Sequence, residues 1–326
     1  MKKFIVLFVA LVAMFATTAK AQSSLLATLN HEGTISTFYG TNALIQAHAA
    51  AADGDVITLS SGTFQSVNIT KAVTLRGAGM VLDAATQTEP TVLANEFSIN
   101  IPDETTQRLT IEGVYTNQKV NIEKLKNAMF LKDRFNVIYA GYRSGQMATD
   151  LTFIHCKIAD RYLGANTTYN SASFQNCIVS GIDGYNYIFN NCIIGLKGEH
   201  YLCYTSEYKN CVIKSPRSNS NSTTMYNNLY SGSRSLDIPN KTNVRVDENS
   251  EVIKNILVYS DDNDFKLTEA AKALIKGTDG TEVGIYGGSL PYDPTPTNPQ
   301  ISKFNVAAKT TADGKLSVDI EVKSAE

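Results

Sequence analysis

The stretch FNNCIIG (189–195) has three companions in the chain: FQNCIVS (174–180), YKNCVIK (208–214) and the looser FIHCKIA (153–159). Each places an aromatic residue three positions before a Cys, Asn or His directly before it, and an aliphatic pattern after it. Cys156, Cys177, Cys192 and Cys211 are spaced by 21, 15 and 19 residues. Leu229 of YNNL (226–229) extends the series forwards, and Phe135 and Val114 extend it backwards, giving seven copies over about 109–230. A repeat of this length with no helical periodicity inside it matches one turn of a β-solenoid.

Each copy reads as two short strands around a corner. Leu151 and Phe153 alternate inward before the corner, and Cys156 and Ile158 after it. Asn176, Asn191 and Asn210 precede the Cys, and Asn tolerates the left-handed backbone that a sharp corner needs. Stacked coils are expected to align these side chains as an amide ladder, with the small, apolar Cys filling the inside of the corner. Two other readings of the Cys series compete. Zinc sites use close pairs, and the shortest spacing here is Cys203 to Cys211. Rungs about 4.8 Å apart lie within disulfide reach, but parallel side chains entering a packed core point their Cβ vectors poorly, and five cysteines is an odd number. Packing is the preferred reading. Cys203 lies outside the column. His155, in the Asn position beside Asp150, Lys157 and Asp160, reads as a ladder substitute or as a general base, the first being preferred.

The composition supports an exported, β-rich protein. Of 326 residues, Lys2 and Lys3 precede an apolar run over 4–15, and Ala19-Lys20-Ala21 forms a cleavage site before Gln22. Residues 1–21 are therefore expected to be a secretory signal peptide. No later run has the roughly 20 apolar residues of a membrane span. A net charge of −2 from 29 basic and 31 acidic residues gives no basic stripe for nucleic acid. Tyr is abundant, with 16 copies, and Trp is absent.

The ends of the repeat differ from its middle. TNALIQAHAAAAD (41–53) has helical spacing, with Ala43, Leu44, Ala47 and Ala51 on one face and His48 expected towards the surface. Gly54-Asp55 stops it. A solenoid needs its open end covered, and this helix is expected to be that cap. AAADGDVITLSSGTF followed by VTLRGAG resembles the opening of secreted right-handed parallel β-helix proteins of the pectate-lyase-like superfamily. DFKLTEAAKALIKGTDGTEVGIYGG (264–288) is similar to the end many of them share, and the PYDPTPTNPQISKFNV segment after it resembles that of exported Bacteroidetes members. The resemblance implies an all-β fold, a right-handed parallel β-helix (β-solenoid) with an N-terminal α-helical cap over 22–290. A Pro-rich linker (291–300) and a short C-terminal β-hairpin tail (301–326) would follow. Asp313-Gly314 is a hairpin turn between Ile301, Phe304, Val306 and the alternating Leu316, Val318, Ile320, Val322. The tail is expected either to fold back on the last coil or to supply strands to a protein partner.

For activity the resemblance implies polysaccharide lyases, which hold Ca²⁺ with carboxylates and use Arg or Lys as base, or hydrolases with clustered Asp and Arg-x-Lys motifs. Neither motif set carries over: the chain has no G-H-G and no Arg-x-Lys. The nearest carboxylate stack is Asp160 with Asp183, with Arg161 and Lys197 between them, so Asp160, Arg161 and Asp183 are the candidate catalytic residues. An exposed salt-bridge cluster is the competing and preferred reading. Ca²⁺ would be a cofactor only in a lyase, and no metal ligands are assigned. Asp261, Asp262 and Asp264 read as a solvated turn. Among the tyrosines crowding 139–204, Tyr187 is expected in the core. Tyr162, Tyr185 and Tyr201, with Lys197, are the candidate ligand-binding residues for a polysaccharide or glycan. The function expected is that of a secreted or cell-surface (or periplasmic) carbohydrate-binding protein without an evident catalytic signature. A polysaccharide lyase acting on uronic-acid polymers, or a structural or adhesive surface protein, are the alternatives.

Overall fold

A computed structural model describes residues 25–323, apart from 85–86, 165–169, 198–199, 218–221, 233–235, 237–241, 248, 259, 261–262, 308 and 312. The expected signal peptide (1–21), Tyr169, Glu199, Asp261 and Asp262 lie outside the described residues. The chain is all-β and winds into a parallel β-solenoid of about 8 turns. Three faces make each complete coil. The first face stacks Val56–Leu59, Thr74–Arg76, Leu109–Glu112, the end of the long strand Val114–Leu131, Met147–Ile154, Ala172–Gln175, Tyr187–Asn190, Glu207–Lys209 and Thr224–Tyr226 in parallel register. The corner follows, then a second face running from Gly62–Phe64 to Val244–Val246. A third face carries Phe97–Asn100 and parts of Val114–Leu131, Arg134–Ala140 and Lys157–Gly164.

Every position of the repeat now has a physical task. The aromatic residues form a stack inside the coils, Phe130, Phe153, Phe174, Phe189 and Tyr208, with successive centroids 4.6–4.9 Å apart and planes within 17°. That spacing is the rung spacing, so each ring lies on the one below. Tyr162 and Tyr187 reach in from the far side and meet the stack edge-on. Tyr187 is a core residue, as its parity predicts. The residue before Cys has positive φ in every copy: His155 54°, Asn176 49°, Asn191 52° and Asn210 57°. The Cys side chains are free thiols and fully buried. Ile158, Val179, Ile194 and Ile213 point inward, as the alternation predicts, and the residue before each, directly after the corner position, points outward. Ile178, Ile193, Val212 and Leu229 form a second apolar core with Ile253, Ile256, Phe265, Val283 and Ile285 of the C-terminal segment.

The Cys column is more than packing. Cys156, Cys177, Cys192 and Cys211 each direct Sγ at the carbonyl of the aromatic residue one coil back, at 3.3–3.5 Å. The register also corrects the ends of the series. Arg134 pairs with Lys157, so Asp133 occupies the Cys position and Phe135 lies two residues beyond it. Val212 pairs with Leu229, so the column residue there is Asn228. Cys203 stands outside the column as expected, buried, with its N–H donating to the Tyr208 hydroxyl at 2.9 Å. Burial pushes its thiol up to about 12.

The Asn row does not bond as an amide ladder. Because left-handed residues at the corner project outward, their side chains meet the C-terminal segment, which runs back along the corner as a strap. Asn227 donates to Lys276 O and Asn210 accepts from Thr278 N–H, each at 2.9 Å. Asn176 donates to Ile285 O and Gly287 O, both at 2.8 Å. His155 Nε2 donates to Leu290 O at 3.0 Å, so it stands in for Asn at the corner with its ring engaged by the strap. Lys132 reaches Thr295 O at 2.6 Å and Asp293 at 3.1 Å. Glu112 accepts from Thr297, and Asn298 donates to Gly77 O at 2.8 Å. The Pro-containing segment that follows Gly288 is therefore hydrogen-bonded to the solenoid, lengthwise and back towards its N-terminal coils.

Helix α1 (Ala43–Ala50) buries Ala43, Leu44 and Ala47 beside the antiparallel strands Leu26–His31 and Thr34–Tyr39. His48 is buried too, not surface-facing, because Thr70 N–H donates to its Nε2 at 3.3 Å. Burial and then Lys71 lower its pKa, which favours the neutral, accepting ring. After the strap, Gln300–Val306 and Val318–Lys323 pair as an antiparallel hairpin, with Val318, Ile320 and Val322 exposed.

Candidate functional site

The residues singled out in the sequence come together only in part. Lys197 pairs with Asp160 at 3.0 Å and Arg161 lies 4.0 Å from the same carboxylate, all three on the surface. Asp183 pairs instead with Leu163 on the third face, in a different row from Arg161, which pairs with Val137. Tyr162 is 1% exposed in the aromatic core and has no face to offer a sugar. Its inward position follows from the break between the second and third faces, where the register shifts between Phe135 and Val137 and resets the alternation. Tyr185 is half-buried and stacks on Tyr204 at 4.7 Å and 16°. Tyr201 is 59% exposed, with the Arg217 guanidinium 5.9 Å from its ring centre.

The structure assembles a different site on the outer side of the third face. Val120 and Ile122 point into the core, so Lys119 and Asn121 point out. Asn121 pairs with Tyr139, which places an amide beside an aromatic ring. Glu96, just before the strand Phe97–Asn100, joins them: it accepts from Lys119 and from Asn121 Nδ2, each at 2.7 Å. Those two bonds hold its carboxyl below the usual range, so it stands ionised at neutral pH. Gly141, at φ 57°, turns the chain outward. A side chain there would collide with Asn170, which accepts from Ala148 N–H at 2.9 Å and donates to Ala140 O at 3.1 Å. The turn brings Tyr142 against Tyr139, with centroids 5.1 Å apart and planes at 64°. Arg143 N–H donates to Gln146 Oε1 at 3.0 Å, which closes the loop.

The result is a cleft of about 390 Å³ lined by these groups and Glu123. The Lys119 ammonium sits 5.7 Å from the Tyr139 ring centre, so that ring is already engaged. Tyr142, 54% exposed, supplies the free aromatic surface. Two acids (Glu96, Glu123) balance two bases (Lys119, Arg143) around it. Chemically this is an array of fixed donors and acceptors beside an aromatic platform. Residues 119–123 announce their outward members by alternation and Tyr139 and Tyr142 by composition, but Glu96 comes from a coil without the repeat and carried no signal.

A second cleft, about 490 Å³, lies where the turn after Leu26–His31 meets the turn after α1. His31 Nδ1 is 2.9 Å from buried Asp55, whose other oxygen accepts from Ala52 N–H at 2.7 Å. The hydrogen bond to Asp55 raises the His31 pKa. This pair ties two turns together. Among the described residues no cluster of three or more His, Cys, Asp or Glu is placed to hold a metal, and no helix is long and apolar enough to cross a membrane. No protein-family model, no curated protein and no solved structure matches the chain.

Proposed function

We propose that this chain is an exported carbohydrate-binding protein that holds a glycan in the cleft of Glu96, Lys119, Asn121, Tyr139 and Tyr142. The observation that carries the reading is the juxtaposition of an exposed Tyr142 ring with an ionised carboxylate and an amide fixed on adjacent rungs. A pyranose ring offers an apolar face to an aromatic side chain and hydroxyls to planar acceptors and donors. Export rests on the basic and apolar N-terminal sequence, with 1–21 as signal peptide. The resemblance of 50–79 and 264–288 to pectate-lyase-like proteins supports right-handed coiling, with α1 as the cap of the first coil. The exposed Val318, Ile320 and Val322 of the tail hairpin support a role for it in joining a protein partner.

A panel of immobilised neutral and acidic oligosaccharides, probed with the purified protein, tests the reading. Binding is expected, and Tyr142→Ala should weaken it at least about tenfold, equivalent to ~1.4 kcal/mol, at an unchanged melting temperature. Release of ultraviolet-absorbing unsaturated product from a uronic-acid polymer in the presence of Ca²⁺ would replace this reading with that of a lyase. Absence of both binding and turnover would favour the structural or adhesive class.

A further inference from the structure

Position 133 keeps the geometry of the corner column and changes its chemistry. The column members after it act as hydrogen-bond bridges. Cys156 donates to Phe130 O at 3.3 Å, Cys177 to Phe153 O at 3.4 Å and Cys192 to Phe174 O at 3.3 Å. Where the column changes to Asn, the amide does the same: Asn228 Nδ2 donates to Tyr208 O at 2.8 Å and Asn243 Nδ2 to Met225 O at 3.1 Å. Members also accept from the column N–H one coil back. Cys192 N–H donates to Cys211 Sγ at 3.4 Å, Cys211 N–H to Asn228 Oδ1 at 2.7 Å, and Asn228 N–H to Asn243 Oδ1 at 2.9 Å. The position therefore calls for a side chain that accepts on one atom and donates on another, or does both on one.

Asp133 is fully buried and performs the accepting half: Val114 N–H donates to its Oδ1 at 2.9 Å. A carboxyl group has the shape of the Asn amide, so Oδ2 takes the place of the donating Nδ2. The register aligns Ile111 with Phe130, which makes the Ile111 carbonyl the group equivalent to Phe130 O one coil back. Oδ2 is buried and accepts no hydrogen bond. A carboxylate oxygen there would oppose a carbonyl oxygen and lie unpaired out of water, an arrangement costlier than a neutral group in the same place.

We propose that Asp133 is held as the protonated acid in the native protein, its Oδ2–H donating to the Ile111 carbonyl as Asn228 and Asn243 donate in theirs, so that losing this proton opens the corner and makes the solenoid alkali-sensitive. The charges around it agree. Burial, above all, and the carboxylate of Glu112 one coil back both push the Asp133 pKa well up, against the opposing N–H groups of Val114 and Leu131. Lys132 and Arg134, its chain neighbours, turn their charges elsewhere, Lys132 to Thr295 and Asp293 and Arg134 over the Tyr115 ring at 4.5 Å. Arg76 lies 3.6 Å from Glu112. Cys156, next in the column, is an un-ionised thiol whose pKa burial raises.

The sign follows from linkage. A carboxyl whose pKa is higher folded than unfolded contributes fully below the unfolded value, near 3.9, and its contribution falls as pH rises towards the folded value. Denaturant titrations of the wild type and of Asp133→Asn over a pH series test this. The wild-type folding constant should fall about tenfold per pH unit relative to the variant above about pH 4, and the variant should be the more stable protein at pH 7. Infrared spectra at pH 7 should show a protonated-carboxyl carbonyl stretch in the wild type that shifts on labelling aspartate with ¹³C. Parallel pH profiles, or a labelled wild type without that band, would overturn the proposal. The spectrum needs no variant, so it decides the question even if Asp133→Asn does not fold.

Discussion

Among the described residues there are two apolar cores, built on opposite principles. Inside the coils, Phe153, Phe174 and Phe189 each lie between two rings of the stack that runs from Phe130 to Tyr208, so successive rungs repeat the same contact. Outside the second face, Ile178, Ile193, Val212 and Leu229 are also in register, but they pack in one cluster with Ile253, Ile256, Phe265, Val283 and Ile285, from a C-terminal segment that does not repeat. Repetition makes the first core cooperative along its length, because a ring cannot shift without uncovering two others. The second core is a docking surface made once, and it can part as a unit.

The largest effect is expected where the stack is cut. Phe174→Ala removes a ring touching Phe153, Phe189, Tyr162 and Tyr187 and leaves a cavity that rigid rungs cannot collapse. A loss of about 3–5 kcal/mol is expected, read as a lower denaturation midpoint in a single transition. Ile193→Ala on the other core should cost about 2–4 kcal/mol. Its signature should differ in kind: faster amide exchange confined to 253–298, with the rungs still protected. A uniform rise in exchange throughout the chain would mean that the two cores are one cooperative unit.

The same contrast explains what could be read from the sequence. Phe174, Asn176 and Cys177 recur because each copy solves one local problem, so the coil, the corner and the buried thiols were legible. The repeat points to Phe135 and Leu229 in place of Asp133 and Asn228 because the column selects for hydrogen bonding, a property Cys, Asn and protonated Asp share without resembling one another. The strap escaped altogether: the corner meets mainly its carbonyls, as at Ile285, Gly287 and Leu290, and backbone atoms leave no residue signature. At the cleft, Tyr139 and Tyr142 were visible as part of a tyrosine-rich region, yet Tyr162 looked equally exposed until the register between faces was known.

The smallest effect is the sharpest test of the strap. Asn176 and Asn191 occupy equivalent corner positions on adjacent coils with nearly equal φ, 49° and 52°. Asn176 donates twice to the strap, whereas Asn191 Nδ2 is buried without a partner and the side chain rests against Gly288. Substitution by Ala imposes the same left-handed strain at both, about 1 kcal/mol. Only at 176 does it also remove two hydrogen bonds to the strap, leaving Gly287 O without this donor while Ile285 O keeps the Tyr292 N–H, adding roughly 1–2 kcal/mol. Asn176→Ala should therefore destabilise by about 2–3 kcal/mol and Asn191→Ala by about 1 kcal/mol. Were the Asn row an amide ladder bonded to itself, the two substitutions would cost the same, since each would break one link of an identical chain. Equal denaturation midpoints for the two variants would restore the ladder, and a gap of this size in the stated direction assigns the row to the strap.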